Sequence, residues 1–560
     1  MRALIPRARL MAVAIAIVGG LLLLIAAPLL FGPSSRLRLA SVVASARDSM
    51  VITAPVRLSS TAPLVIDAGS IFSSDIPTAK SPVSGRMVID GASIVVSQPE
   101  PGPHASDDSV VPILSVLVGP GFDRLTIRRT EIRFSRSGRP GDLLANVSAE
   151  VTRRKQGLHA KGKFTYLGQR LRFEATTGPI VADIKTKLRQ PLRLVVTGAW
   201  FSAVFDGHLD IDGTVSLDGQ GEVSISDPRR AMRWLGLPIG SGESLRRTRA
   251  KGTVVWRNRT IAFQTVALAI DGNEATGALT VDFEGPRPLF DGTLAVKTLD
   301  LTPYIELEKS EPGMARRVEH HLPLARDIDI DMRLSAATLI VGPHKFGGVA
   351  ATVALKAGRL IADIAEMDFS EGTIGGQVLL DLAAMPTVLA VRGRAQNFDL
   401  ARISSALVGF AAGQGPATLT VDASARGATA IELLRSLSGK ASLALSEGGR
   451  LAVDVRHLID ADAPKDDLRR LWAAAKRGST SFDKLEIKLS MRNGVVQSEL
   501  VELASGPAGV AVVGSYSLIS DVLDLSIRRS KGASLAPAGK AASARVLGPS
   551  ANPDIVRSPN

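Results

Sequence analysis

The sequence predicts a mainly β protein: an N-terminal transmembrane helix followed by a largely antiparallel β-sheet of many short strands, with a few short helices. Three observations predict it. Leu10 to Phe31 is an uncharged, apolar run of 22 residues. From Val56 to Arg529, apolar and polar residues alternate in short runs with the period of two that gives a strand one dry and one wet face. Gly, Asp-Gly, Asn-Gly or Ser-Gly punctuates those runs, and helical periodicity is scarce.

The apolar run is long enough to cross a hydrocarbon layer, which needs about 20 helical residues. A cleaved signal peptide is the competing reading. The run exceeds the roughly 7–15 residues of a signal h-region, and Pro28 after Ala26-Ala27 suits a cleavage site badly. Arg2, Arg7 and Arg9 precede the run and place the N-terminus in the cytoplasm, although Arg36, Arg38 and Arg47 beyond it weaken the asymmetry. The expected order is a cytoplasmic stretch at 1–9, an inner (plasma) membrane anchor at 10–31 and a periplasmic remainder from about residue 36. No later stretch is long and uncharged enough to span.

The strand pattern is plain at Leu125–Arg128, Glu131–Phe134, Val147–Val151 and Leu209–Asp212. A sheet of such strands must cover its dry face by folding into a sandwich or barrel, or by curving around something apolar. The pattern leaves both open. With aromatics at only 4% of the chain, mainly Val, Leu, Ile and Ala point inward, which is compatible with a smooth apolar trough. Some thirty strands at about 4.8 Å each would build a rod or groove on the order of 140 Å long.

Helices are expected at Pro228–Leu235, Ala315–His321, Ala401–Phe410, Ile431–Leu437 and Val455–Arg477. Thr429 and Glu432 form a capping box for the fourth. In the fifth, Leu468, Leu471, Trp472 and Ala475 share one face, acids open the helix and bases close it. That stripe is read as a cap on a sheet end before it is read as a docking face. The final stretch, 531–560, rich in Ala, Gly, Ser and Pro, is expected to be a loosely ordered tail.

Composition removes several function classes. The chain has no cysteine, so structural disulfides and thiolate metal sites are excluded. It contains no Gly-x-Ser-x-Gly elbow, Walker A loop or His-Glu-x-x-His pattern, so no catalytic residue, cofactor or metal site is predicted. His320-His321 is read as a surface pair, and Asp327, Asp329 and Asp331 as the solvated face of a strand rather than a calcium loop. The net charge of +13 gathers at Arg153-Arg154-Lys155 and between Arg246 and Lys251. Aromatic residues to interleave these clusters for nucleic acid are missing, so they are read as solvated loops.

Residues 480–528 carry the most specific pattern. Thr480-Ser481-Phe482-Asp483-Lys484-Leu485 opens a strand that ends at the Asn493-Gly494 turn. Leu500-Val501-Glu502-Leu503, Ser505-Gly506-Pro507, Val510–Tyr516 and Leu523-Asp524-Leu525 follow. This order resembles the C-terminal region of the AsmA family of bacterial envelope proteins. Upstream, Leu433–Gly439 with the Gly448-Gly449 turn is similar too, as are Phe205-Asp206-Gly207, Ser226-Asp227-Pro228 with Trp234-Leu235-Gly236, Leu299–Tyr304 and Gly372–Val378. Ser505-Gly506-Pro507 departs slightly from the family's Ser-Pro.

The resemblance implies a long twisted sheet forming an elongated hydrophobic groove. It implies β-groove regions at 36–310 and 311–426 and an AsmA-like region at 427–530. It also implies a non-enzymatic role in outer-membrane biogenesis. Alternate positions Ile487, Leu489, Met491, Leu523, Leu525 and Ile527 are the candidate acyl-chain contacts. Expected partners are the inner membrane, phospholipid conducted towards the outer membrane, and envelope assembly proteins, with no nucleic acid. The alternative function is a scaffold affecting insertion of outer-membrane proteins.

Overall fold

The computed structural model describes residues 50–557 apart from 74–85, 99–123, 180–187, 236–245, 306–325, 402–412, 455–476, 531–542, 550–553 and some shorter stretches. The expected anchor, the helices at 315–321 and 455–477 with Trp472, nearly all of that at 401–410, and His320-His321 lie outside the described residues. Among the described residues, no helix is long and apolar enough to cross a membrane. The chain is mainly β and divides into two compact units, Met1–Ile239 with Leu245–Gly292, and Gly240–Ser244 with Thr293–Asn560.

In the first unit, β1 (Met50–Ile52), β2 (Val56–Ser59), β3 (Leu64–Ala68), β4 (Ser70–Ser73), β5 (Arg86–Asp90) and β6 (Ser93–Gln98) are short. Longer strands follow: β7 (Arg124–Arg136), β8 (Arg139–Arg154), β9 (Gly157–Tyr166), β10 (Gln169–Thr177), β11 (Leu188–Thr197), β12 (Phe201–Asp212) and β13 (Thr214–Ile225). Helix α1 (Pro228–Leu235) precedes β14 (Thr248–Arg257), β15 (Thr260–Ile270) and β16 (Asn273–Asp282), and β17 (Leu289–Asp300) runs across the unit boundary. From β7 to β16 each strand pairs antiparallel with the next.

Among the described residues, the sheet departs from the antiparallel rule at β7. β5 and β6 both run parallel to β7, β5 along Arg124–Arg128 and β6 along Glu131–Arg136. The segments 125–128 and 131–134, read from sequence as separate strands, are therefore two halves of one. Between them Arg129 takes φ 46° and the register against β8 slips. Arg129 grips Asp90 through two hydrogen bonds of 2.9 and 2.7 Å, and this guanidinium holds the Asp90 carboxyl below its usual range. The dry face here is closed: Leu125, Ile127, Leu144, Val147, Ala160, Phe164, Tyr166 and Leu171 are at most 2% exposed. Helix α1 covers one end through Trp234, which meets Tyr166 and Trp200 edge-on at 5.7 and 5.2 Å. Its indole N–H donates to the carbonyls of Tyr166 and Leu167.

The second unit begins with α2 (Thr302–Ile305), β18 (Asp329–Val341), β19 (His344–Phe346), β20 (Val349–Lys356), β21 (Arg359–Phe369), β22 (Gly372–Asp381) and β23 (Val388–Asp399). Then come β24 (Gly413–Gln414), β25 (Pro416–Arg426), α3 (Ala430–Ser436), β26 (Ser438–Leu445), β27 (Gly449–Leu451), β28 (Thr480–Phe482), β29 (Lys484–Arg492) and β30 (Val495–Ser505). β31 (Ala508–Ser517), β32 (Val522–Ser530), β33 (Ser543–Pro549) and β34 (Asp554–Arg557) complete it. Half of the expected capping box on α3 forms: Thr429 Oγ1 accepts from Glu432 N–H, while Glu432 accepts at 2.7 Å from the N–H of Ala428, one residue before the N-cap.

An unbroken antiparallel run joins β18, β20, β21, β22, β23, β25, β26, β29, β30, β31, β32, β33 and β34. The loosely ordered tail is corrected here, because Ser543–Pro549 and Asp554–Arg557 are strands. Two interactions fasten the first of them: Val546, 3% exposed, pairs with Leu525, and Arg545 grips Asp524 with two bonds of 2.8 Å. A separate three-stranded sheet of β24, β27 and β28 brings Phe482 against Phe398, Leu445, Leu485 and Leu503, all at most 6% exposed. Truncation of Phe482→Ala should cost about 3–5 kcal/mol. Hydrogen exchange at β26 and β29 should then accelerate by two to four orders of magnitude, on the order of tenfold per 1.4 kcal/mol.

Candidate functional site

Antiparallel partners point to the same side of a sheet, so register alone shows which residues share a face. One ladder in the second unit runs Ile374, Ala395, Leu419, Leu443, Ile487, Val501 across six strands. A parallel ladder runs Val353, Ala362, Val378, Val391, Ala423. Towards the C-terminus, Leu503 pairs with Val510, and the same side of β31 presents Val512, Gly514 and Tyr516 to Ile527, Leu525 and Leu523. All six residues singled out from the sequence therefore lie on one apolar face of one sheet.

That face is not uniformly closed. At one edge, where the three-stranded sheet lies, Leu445 and Leu485 are 0% and 3% exposed. One step along the same strands, Leu443, Ile487, Leu489 and Met491 are only half-buried, as are Leu523 and Leu525, while Ile527 is buried. Apolar surface is thus left accessible along the middle of each strand.

Sequence alternation missed part of this face, because bulges change the parity. Ile364 and Met367 pair with Gly376 and Ile374, Ala395 and Phe398 with Leu419 and Ala417, and Leu489 and Ile487 with Ser498 and Val501. In each case two apolar or small residues three apart land on the same side because one extra residue is extruded. Apolar spacing of three inside a strand-like run is the signal that would have found them. Two glycines shape the face as well. A Cβ on Gly439 (φ 154°) would lie 2.2 Å from the Asp422 carbonyl oxygen, and one on Gly514 (φ 157°) 2.0 Å from that of Asp524.

The opposite face is charged. Lys484 and Lys488 flank Glu486 at 2.9 and 2.7 Å, and Arg392 meets Asp422 at 3.0 Å. Among the described residues, no group of three or more His, Asp or Glu is placed to hold a metal ion. Asp329 instead accepts from Ala357 N–H at 3.0 Å and caps a turn. The basic clusters, expected as solvated loops, lie partly on strands: Arg153 and Arg154 close β8 and, with Lys155, are exposed, while Arg249 and Lys251 lie on β14, where Arg249 pairs with Glu222 at 2.7 Å.

Residues 326–501, from the start of β18 through most of β30, match the model of the AsmA family, so the chain carries an AsmA-family region. No curated protein matches the chain. The region and the strand-built apolar face fit, in general terms, an envelope-associated protein of lipid transport or envelope biogenesis.

Hydrogen bonds from Lys488 and Lys484 lower the Glu486 carboxyl to about 2. A depressed carboxylate stabilises the fold above its unfolded value near 4.5, and this contribution is lost as pH falls towards 2. The melting temperature of Glu486→Gln should therefore lie below that of the parent at neutral pH. Thermal melts at successively lower pH should show the gap closing between those two values.

Proposed function

We propose that the half-open apolar face of the second unit binds phospholipid acyl chains and conducts them along the sheet between the inner and outer membranes. The reading rests above all on one observation: a ladder of aliphatic side chains continues across strand after strand without a polar break, yet stays partly accessible. An acyl chain gains about 0.8 kcal/mol per buried methylene. A face of this kind needs no single decisive residue, and movement along it exchanges equivalent contacts. The chain contains no nucleotide-binding motif, so any direction would come from a partner. No side chain is assigned a catalytic role.

A scaffold role in outer-membrane protein insertion is the second reading. Among the described residues, β34 pairs with β33 alone, which leaves one side of it for strand addition.

Native mass spectrometry with lipid extraction, on the full chain purified in mild detergent, separates the two. Phospholipid should co-purify with the parent protein. In Ile487→Glu and Leu525→Glu, a carboxylate on the dry face should lower its occupancy about tenfold or more. Parent protein that holds no lipid and takes up no labelled phospholipid would sink the conduit reading. Strand-mediated client binding should survive both substitutions.

A further inference from the structure

The two long edges of the second unit's sheet differ. One is sealed by Phe398, Leu445 and Phe482. At the other, β20, β22, β25, β29 and β31 end, and the next strand of each pair begins. Among the described residues, the large apolar side chains exposed in this unit are Met385, Ile431, Leu434, Val513, Ile519 and Val522. All but Val513 stand on this second edge.

Three of them gather at one point. Ile431 and Leu434 are spaced to share a face of α3 and are 51% and 44% exposed. A Cβ on Gly494 would lie 2.6 Å from the Leu434 carbonyl oxygen and 3.0 Å from Cδ1 of Ile519, itself 46% exposed. Gly494 N–H donates to Leu437 and Leu518 N–H donates to Gly494, each at 3.0 Å. Helix α3, the Asn493-Gly494 turn and the β31–β32 turn therefore form one laced platform.

Its available charge is positive. Arg426, Arg435 and Arg492 are exposed, and none has an ion-pairing partner among the described residues. The acids between them are turned to protein donors: Glu432 accepts from Ala428 N–H at 2.7 Å and Asp521 from the Tyr516 hydroxyl at 2.8 Å. We propose that this platform docks on the surface of an anionic phospholipid bilayer. Ile431, Leu434 and Ile519 enter the boundary between headgroups and acyl chains, and the three arginines bind lipid phosphates. A protein partner would call for an aromatic anchor in a pocket, whereas a bilayer takes separate aliphatic tips ringed by long cations. The proposal stands apart from the acyl-chain reading of the dry face.

The absence of cysteine makes the test direct, because one introduced thiol is the only labelling site. Leu434→Cys, Ile519→Cys and the wet-face control Ala444→Cys, exposed opposite Glu486 at the far end of β26, are each labelled with an environment-sensitive fluorophore. The full chain is reconstituted in phosphatidylcholine vesicles with and without phosphatidylglycerol, and quenching by doxyl-labelled lipid is read. The same set in an Ile487→Glu background removes any signal from lipid held on the dry face. Quenching at 434 and 519 should exceed that at 444 by about threefold in the anionic vesicles, and should fall in Arg435→Gln with Arg492→Gln. Equal quenching at all three sites, or quenching indifferent to anionic lipid and to the arginines, would overturn the proposal. So would protection of 434 and 519 by an added protein fraction in the absence of vesicles.

Discussion

Register between neighbouring strands is the constraint on which the second unit depends. Side chains alternate across a strand, so a slip of one residue would carry every aliphatic group to the solvated side and every charge to the dry side. Ile487 is held opposite both Leu443 and Val501, and each of those is held in turn. The ladder is cooperative in this sense: moving one strand costs the match on both of its flanks. The Lys484–Glu486–Lys488 cluster on the wet side adds little energy at an exposed surface, but it penalises the slipped register in which a carboxylate would face the aliphatic ladder.

Bulges reconcile that constraint with curvature. Between Lys488↔Leu500 and Leu489↔Ser498, Glu499 is extruded and reaches towards Lys440. The extra residue adds local twist and reverses the parity of everything before it on β30. Val496 and Val501, which simple alternation assigns to opposite faces, end on the same one. Ser498 is the cost, a hydroxyl on the dry side, and Gly514 offsets it by donating its N–H at 2.8 Å to that oxygen.

The two units use one strand grammar for different ends. From β7 to β10 the dry face is closed by Phe164, Tyr166 and Phe173, with Trp200 and Trp234 at its margin, and its side chains are almost wholly buried. In the second unit, among the described residues, Phe369, Phe398 and Phe482 gather at one edge and Tyr516 stands at the other, and the face between them is aliphatic and half-buried. Ring volume closes a core; its absence leaves a surface on which a flexible hydrocarbon can lie.

Much of this was legible in the chain itself. Alternation and turn residues carried the mainly β architecture, the Thr429 cap of α3, the helix at Pro228–Leu235, the common face of Ile487, Leu489 and Met491 and that of Leu523, Leu525 and Ile527, because each depends on local stereochemistry within one element. Tertiary pairing decided the rest. It joined two short segments into β7, where Arg129 meets Asp90, and it made a strand of Ser543–Pro549 by offering it the edge of β32, and one of Asp554–Arg557 by offering it the edge of β33. It also placed Ile431, Leu434 and Ile519 on one platform although nearly ninety positions separate the first from the last. A strand edge or a converging turn exists only between segments distant in sequence, so no local pattern announces it.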